Sequence, residues 1–254
     1  MKKIADAFNH GTAFVAFITC GDPDLETTKE LIHALARGGT DLIELGIPFS
    51  DPTAEGETIQ NANMRALAGG VNTEKIFKML ETVEVDIPLV FMTYANVVFH
   101  YGIEKFAKRC SEVGISGLIL PDIPYEEKEE FAPLCQAHGV DFVSFVAPTS
   151  EQRIAMIAKE AKGFVYCVSS LGVTGVRSEI SVDVPSVVAQ VKSNTDTPVA
   201  VGFGISTPEQ GAEIGKYADG IIVGSAIVKI VEAEGKNSPN KVEAFARKMK
   251  KALE

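Results

Sequence analysis

The sequence predicts an α/β fold, a single (β/α)8 TIM barrel over residues 1–254 with extra short N-terminal and loop helices. Three observations carry that reading. The length of 254 residues matches the roughly 250 residues of one such barrel. Eight apolar runs bounded by turn residues recur along the chain. Most of the intervals between them have helical spacing and composition, so strand and helix alternate as they do around a parallel sheet. Eight strands in this length favour a closed barrel over an open doubly wound sheet.

The candidate strands are residues 13–19, 41–46, 88–94, 117–121, 141–148, 163–170, 198–204 and 220–224. AFVAFIT at 13–19 and GIIVG at 220–224 are apolar throughout. A strand with one wet face would alternate polar and apolar residues, so these runs suit parallel strands covered on both faces. Helices are expected at 24–37, 73–83, 102–113, 125–138, 151–161 and 207–218. ARGGTDLIELG, SEVGISGLILP and QAHGVDFVSF each read helix, glycine, strand, and a glycine there accepts the left-handed conformation that closes a helix. The polar stretch 234–241 reads as a loop before a last helix whose apolar stripe is Val242, Phe245 and Met249. No Pro/Gly/Ser-rich linker divides the chain, which points to one domain.

Composition narrows the partners. Hydrophobic residues at 46% supply a substantial core, and a net charge of −10 argues against nucleic acid, whose phosphates need a basic face. The one dense basic run, Arg247, Lys248, Lys250 and Lys251, falls in the last helix, where cations complement the C-terminal dipole. Cys20, Cys110, Cys135 and Cys167 are too far apart for a zinc motif, and reduced thiols in a cytoplasmic protein are expected. His10, His33, His100 and His138 lie outside the candidate strands, so no metal site is expected. No apolar run approaches the 18 or more residues of a membrane span, and the N-terminus lacks a signal peptide's apolar core.

In a barrel the site is built where the strands end. Glu44 stands inside an otherwise apolar second strand, and DLIELGIPFSDPTAEG continues into a loop with Asp51, Glu55 and Glu57. Burial raises a carboxyl pKa towards neutrality, which suits a group that must give and take a proton. The alternative is a buried glutamate satisfied by hydrogen bonds. The loop, with Pro48 and Pro52, is too elaborate for a plain connection and suits binding or partner contact. The seventh strand ends in Gly202-Phe203-Gly204-Ile205-Ser206 and the eighth in Gly224-Ser225. Glycines there let backbone N–H groups approach a phosphate at the usual position for this fold. GFGIS lacks the third glycine of a dinucleotide fingerprint. Leu171-Gly172-Val173-Thr174-Gly175 reads either as a lid that brings the Thr174 hydroxyl to a ligand or as a plain mobile loop.

Taken together these residues resemble the tryptophan synthase α subunit family over essentially the whole chain. The matching blocks are FVAFITCGDP (14–23), ELGIPFSDP (44–52), TIQNANMRAL (58–67), YANVVFHYG (94–102), 172–175, 202–206 and GSAIVK (224–229). The resemblance implies a lyase that cleaves indole-3-glycerol phosphate by a retro-aldol reaction to indole and glyceraldehyde 3-phosphate. It implies no cofactor in this chain and a β subunit that holds pyridoxal phosphate, in an α2β2 complex.

By the same match Glu44 is the acid–base residue, and Glu55 stands where the family has an aspartate that accepts the indole N–H. Thr174 is the lid residue; Gly175, Gly204, Gly224 and Ser225 hold the phosphate. Phe17, Tyr94, Tyr166, Phe203 and Ile222 wall the indole pocket, and Pro48, Asp51 and Pro52 meet the partner. Glu55 and Glu57 depart from the family's aspartate and proline, which motivates a second reading, a weakly active subunit that binds ligand and activates the β subunit. A third, a sugar-phosphate isomerase or epimerase, would in its metal-dependent forms want strand-end histidines that the chain lacks.

Overall fold

The computed structural model describes residues 2–148, 151–168, 183–202 and 204–254. Its strands are β1 (Ala13–Thr19), β2 (Leu42–Gly46), β3 (Leu89–Met92), β4 (Ile115–Ile119), β5 (Asp141–Phe142), β6 (Ser144–Val146), β7 (Val165–Val168), β8 (Val199–Gly202) and β9 (Gly220–Val223). They form one parallel sheet in the order β5-β4-β3-β2-β1-β9-β8-β7-β6. The expected fifth strand, 141–148, is broken at Val143: its first half pairs with β4 and its second with β7. One strand thereby serves both ends of the sheet and brings the barrel to near closure, the change of partner reflecting the stagger that barrel closure imposes.

Burial follows the two-residue period of a strand. Val15, Leu42, Val90, Ile119, Tyr166, Ala200 and Ile222 pack together inside the barrel. Their neighbours Phe14, Ala16, Ile43, Leu45, Phe91, Ile221 and Val223 pack outward against the helices. Both faces are dry, which is why these strands read as continuous apolar runs. Glu44 shares the inward face with Leu42, two residues before it.

The helices are α1 (Leu25–Arg37), α2 (Glu57–Ala68), α3 (Thr73–Leu80), α4 (Ala95–Tyr101), α5 (Ile103–Glu112), α6 (Ala132–Ala137), α7 (Glu151–Glu160), α8 (Val184–Lys192), α9 (Pro208–Gly215), α10 (Ser225–Glu234) and α11 (Ser238–Lys251). Local chemistry starts several of them. Asp24 and Asn72 accept the backbone N–H groups of Thr27 and Lys75, and Thr207 with Gln210 forms a capping box. Below the barrel a 3-10 turn, Ile4–Phe8, drives Ile4 into its floor. A Cβ at Gly117 or Gly163 would stand only 2.7 or 2.9 Å from Ile4 Cδ1, so a side chain at either position would have to displace the end of Ile4.

Three expectations shift. The helix at 125–138 is a 3-10 turn, Tyr125–Glu130, followed by α6, because Pro133 offers no N–H to continue a single helix. The helix at 73–83 stops at Leu80, with Thr82 Oγ1 donating back to the Met79 carbonyl. The loop at 234–241 shrinks to the 3-10 turn Gly235–Asn237 between α10 and α11. Among the described residues no helix is long and apolar enough to cross a membrane, and the four cysteines are free and buried.

Candidate active site

Alternation along β2 aims Glu44 into the barrel near the exit of the strand, beside Phe17 of β1 and Val90 of β3 in the parallel register. Its side chain is fully buried, and neither carboxylate oxygen has a hydrogen-bond partner among the described residues. The reading of a glutamate satisfied by hydrogen bonds is thus not what the geometry shows. Desolvation pushes the Glu44 carboxyl up to about 8, because an apolar setting penalises the anion far more than the neutral acid. At neutral pH the group carries its proton.

Glu44 opens onto a cavity of about 750 Å³ at the strand exits, whose wall also includes Phe17, Glu55, Tyr166, Ile222 and Ser225. Gly204 and Gly224 line the same cavity. Five strands, two loops and two helix starts thus converge on one volume large enough for a phosphorylated bicyclic ligand. Apolar side chains form the floor around Glu44. The other end is the start of α10, where Ile227 and Val228 make the first helical hydrogen bonds, to the Gly224 carbonyl. The Ser225 and Ala226 N–H groups precede those bonds at the cavity wall, a neutral donor set with the helix dipole behind it, suited to an anion.

Glu55 reaches the cavity from the β2–α2 loop and is 6% exposed. Burial raises its carboxyl pKa, the Tyr94 hydroxyl opposes that shift by donating to it, and the charge of Asp122 adds to the rise. Tyr166 has its phenol pKa pushed well above the usual value by burial and then by Glu44 and Glu55, so it faces both acids. Two bare backbones make room for the aromatic walls. A Cβ at Gly46 would meet Phe17 Cζ at 2.6 Å, and one at Gly202 would meet Tyr166 Cε1 at 2.6 Å.

The expected site residues divide by place. Glu44, Glu55, Phe17, Tyr166, Ile222, Gly204, Gly224 and Ser225 meet at the cavity. Tyr94 is buried under the loop with its hydroxyl on Thr53, Ala54 and Glu55. Pro48 is buried within the chain, while Asp51 is exposed and Pro52 half-buried on the outer side of the loop. Thr174, Gly175 and Phe203 lie outside the described residues. Glu57 begins α2 and lines the cavity mouth instead of extending the loop. Lys229, one turn into α10, also lines it. Sequence reading passed over Lys229 and Gly46, and read Gly202 as a phosphate-loop glycine and not as the seat of the Tyr166 ring; the four-residue spacing from Ser225 along a helix signals the first.

Asp22, in the β1–α1 loop, is 3% exposed and takes both Arg65 Nε and Arg65 Nη2 at 2.9 Å. Arg65 Nη1 reaches Glu232 of α10 at 2.8 Å. The fork on Asp22 ties the first loop to α2, and the third bond ties α2 to α10, so three segments around the cavity are braced together. Among the described residues no group of three or more His, Cys, Asp or Glu side chains is placed to hold a metal ion.

The profile of a family described as tryptophan synthase alpha chain matches residues 5–254. A tryptophan synthase alpha chain from Methanosarcina mazei is 51% identical over 95% of this chain and 89% of its own. Another from Lacticaseibacillus casei is 45% identical over 100% of this chain and 96% of its own. Among solved structures, the tryptophan synthase alpha chain of Legionella pneumophila superposes with a TM-score of 0.86 at 35% identity, covering 100% of this chain and 97% of that one. A chain of Mycobacterium tuberculosis tryptophan synthase gives a TM-score of 0.88 at 34% identity, covering 98% and 95%.

Proposed function

The chain belongs to the tryptophan synthase alpha chain family, lyases of tryptophan biosynthesis, and on that premise we propose that it cleaves indole-3-glycerol phosphate to indole and glyceraldehyde 3-phosphate. The observation that carries the reading is Glu44: a fully buried carboxyl without a partner among the described residues, facing a cavity with a second acid and a phosphate-type helix start.

The chemistry follows from the placement. Protonated Glu44 delivers its proton to indole C3, and positive charge spreads to the ring nitrogen. Glu55 accepts the ring N–H and stabilises that charge. The Glu44 carboxylate then takes the proton of the side-chain hydroxyl next to C3, the carbon–carbon bond breaks, and its electrons return to the ring, leaving indole and an aldehyde. Phe17, Tyr166 and Ile222 enclose the ring; Gly204, Gly224 and Ser225 with the first N–H groups of α10 take the phosphate. Thr174, Gly175 and Phe203 belong to the same reading as lid, phosphate and ring contacts. Every step is proton transfer and electrostatics, so the chain works without a cofactor of its own.

The partner we assign is a pyridoxal-phosphate β subunit, in an α2β2 assembly. Asp51 and Pro52 on the outer loop, with the 49%-exposed Phe99 ring on α4, offer an apolar and acidic rim at the end of the barrel where the cavity opens. Four unpaired cysteines suit a reducing, cytoplasmic setting. The test is indole release from indole-3-glycerol phosphate by wild type and Glu44→Gln, each with and without a β subunit. Release by wild type that Glu44→Gln cuts by orders of magnitude supports the assignment; a loss of less than tenfold removes Glu44 from the chemistry.

A further inference from the structure

Tyr94 ends the turn that follows β3, at the N-cap of α4, and its hydroxyl is spent on three consecutive residues of a different segment. It accepts the backbone N–H of Thr53 at 3.1 Å and of Ala54 at 2.9 Å, and it donates to a carboxylate oxygen of Glu55. A phenol has one proton to donate and two lone pairs, so its full capacity is committed to residues 53–55. The ring is 3% exposed and stacks on Phe49 of the same loop at 5.2 Å. Gln60 of α2 fixes the far side, donating to the Glu55 carbonyl at 2.7 Å.

We propose that Tyr94 is the positioning residue for Glu55: one hydroxyl sets both the backbone of the loop and the direction of the carboxylate that faces the cavity. The inference rests on the lyase reading for its consequence in turnover, but not for its geometry. A glutamate carries one more methylene than an aspartate and one more bond with a choice of about three staggered rotamers, so its carboxylate wanders unless held. Tyr94 holds it through one carboxylate oxygen, and the group still lines the cavity. A specific acid at position 55 is thereby matched to a specific hydroxyl at position 94.

The groups facing Glu55 act in opposite senses. The Tyr94 hydroxyl favours the anion by donating to it; Asp122, whose carboxylate accepts the Ala95 N–H at 3.1 Å, disfavours it. Tyr166, whose phenol senses the charge of Glu55, and the exposed Glu57 at the start of α2 line the same cavity. Removing the donor takes away the larger of the two hydrogen bonds that hold the pKa down and leaves a backbone hydrogen bond to oppose burial and Asp122, so the carboxyl must bind its proton more tightly. A more acidic phenol must do the reverse.

The experiment titrates Glu55 directly, by carboxyl NMR of protein carrying labelled glutamate, with the resonance assigned by its absence in Glu55→Gln. Tyr94→Phe is expected to raise the midpoint by about one pH unit, the scale of one charge-assisted hydrogen bond. Replacing Tyr94 with 3-fluorotyrosine, which keeps the shape, is expected to lower it. In turnover, the acidic limb of the kcat/KM profile should move with the midpoint and Tyr94→Phe should cost about tenfold in kcat. An unmoved midpoint in the fluorotyrosine protein overturns the inference, and that arm decides even where Tyr94→Phe folds poorly. A midpoint that moves in a protein releasing no indole upholds the Tyr94 assignment and overturns the lyase reading instead.

Discussion

Tyr166 lies across the bare backbone of Gly202, where a Cβ would stand 2.6 Å from the ring and 2.7 Å from the phenolic oxygen. The two residues sit on neighbouring strands, with Tyr166 paired to Ala200 and Gly202 to Val168. A glycine on β8 therefore sets how far the ring of β7 can lean, and so the width of the cavity beside Glu44.

Gly202→Ala should push Tyr166 towards the ligand space. Overpacking of this kind costs about 1–3 kcal/mol of stability, and the expected kinetic sign is a raised KM for indole-3-glycerol phosphate. Gly46→Ala should act in the same way through Phe17, whose Cζ would lie 2.6 Å from the new methyl. Steady-state kinetics with a melting curve for each variant check both, and an unchanged KM in both would show that the rings relax without cost.

Glu44→Gln should lower kcat by about 10²–10⁴-fold while making stability less dependent on pH. The folded-state pKa of Glu44 is raised to about 8, against about 4.3 in an unfolded chain. The folded state therefore binds the extra proton between those values, and this contribution to stability is whole below about pH 4, falls as pH rises, and is gone above about 8. Denaturant melts from pH 5 to 9 should show a wild-type decline of a few kcal/mol at most that Glu44→Gln flattens. Equal slopes in the two proteins would mean that the carboxyl is solvated.

Much of this was legible in the sequence, for reasons that differ by residue. Apolar runs mark the strands because both faces are dry, and Glu44 is conspicuous because it interrupts one of those runs. The break at Val143 was not legible, since 141–148 is apolar on either side and only barrel closure demands a change of partner there. Pro133 did announce the split between Tyr125–Glu130 and α6, but helical spacing across 125–138 masked it. At the site, Gly204 and Gly224-Ser225 were visible as glycine-rich strand ends. Gly202 was visible in the same way, but its packing role, like that of Gly46, was not, because what keeps both bare is an aromatic ring on a neighbouring strand. The hydroxyl of Tyr94 was equally hidden: its partners are about 40 residues away in sequence and meet it through loop geometry alone.

Glu55→Asp tests whether this chain is adapted to its longer acid. Shortening the arm should draw the carboxylate away from the Tyr94 hydroxyl, and misplacement by roughly 1 Å can cost about 10²-fold in rate. The expected result is a fall in kcat of about tenfold or more with KM little changed. A gain of orders of magnitude would instead favour the second reading, a weakly active subunit whose task is to bind ligand and activate a β subunit.

Arg65→Met should destabilise the protein by leaving Asp22 buried without its fork. Hydrogen bonds to charged groups contribute about 1.5–3 kcal/mol, and Arg65 itself is 33% exposed, so the lower part of that range is expected. For a chain of this size that is a fall in melting temperature of about 4–8 °C. Asp22→Asn in the Arg65→Met background should recover part of the loss, because the uncompensated charge is gone. No recovery would place the cost in lost packing of the arginine stem.

Lys229 gives a charge to the phosphate end that backbone donors cannot. Among the described residues the cavity wall carries Glu55 and Glu57 beside the protonated Glu44, but one lysine and no arginine, so a dianionic ligand meets little positive charge there. Lys229 stands four residues after Ser225 on α10, on the same helical face, and side chains on a helix lean towards its N-terminus. A side chain leaning that way carries its ammonium towards the turn of Ser225 and Ala226, which line the same cavity. Being exposed, it should contribute no more than about 1 kcal/mol, which is a rise of about fivefold in KM for Lys229→Met with kcat at saturation unchanged, since the phosphate is bound alike before and during cleavage. Ser225→Ala should raise KM by a similar factor through lost hydroxyl donation. Salt separates the two: the Lys229 effect should shrink as ionic strength rises and screening shortens the reach of the charge, while the Ser225 effect should persist. A Lys229→Met penalty that is independent of salt would mean that the stem packs against the ligand and the charge plays no part.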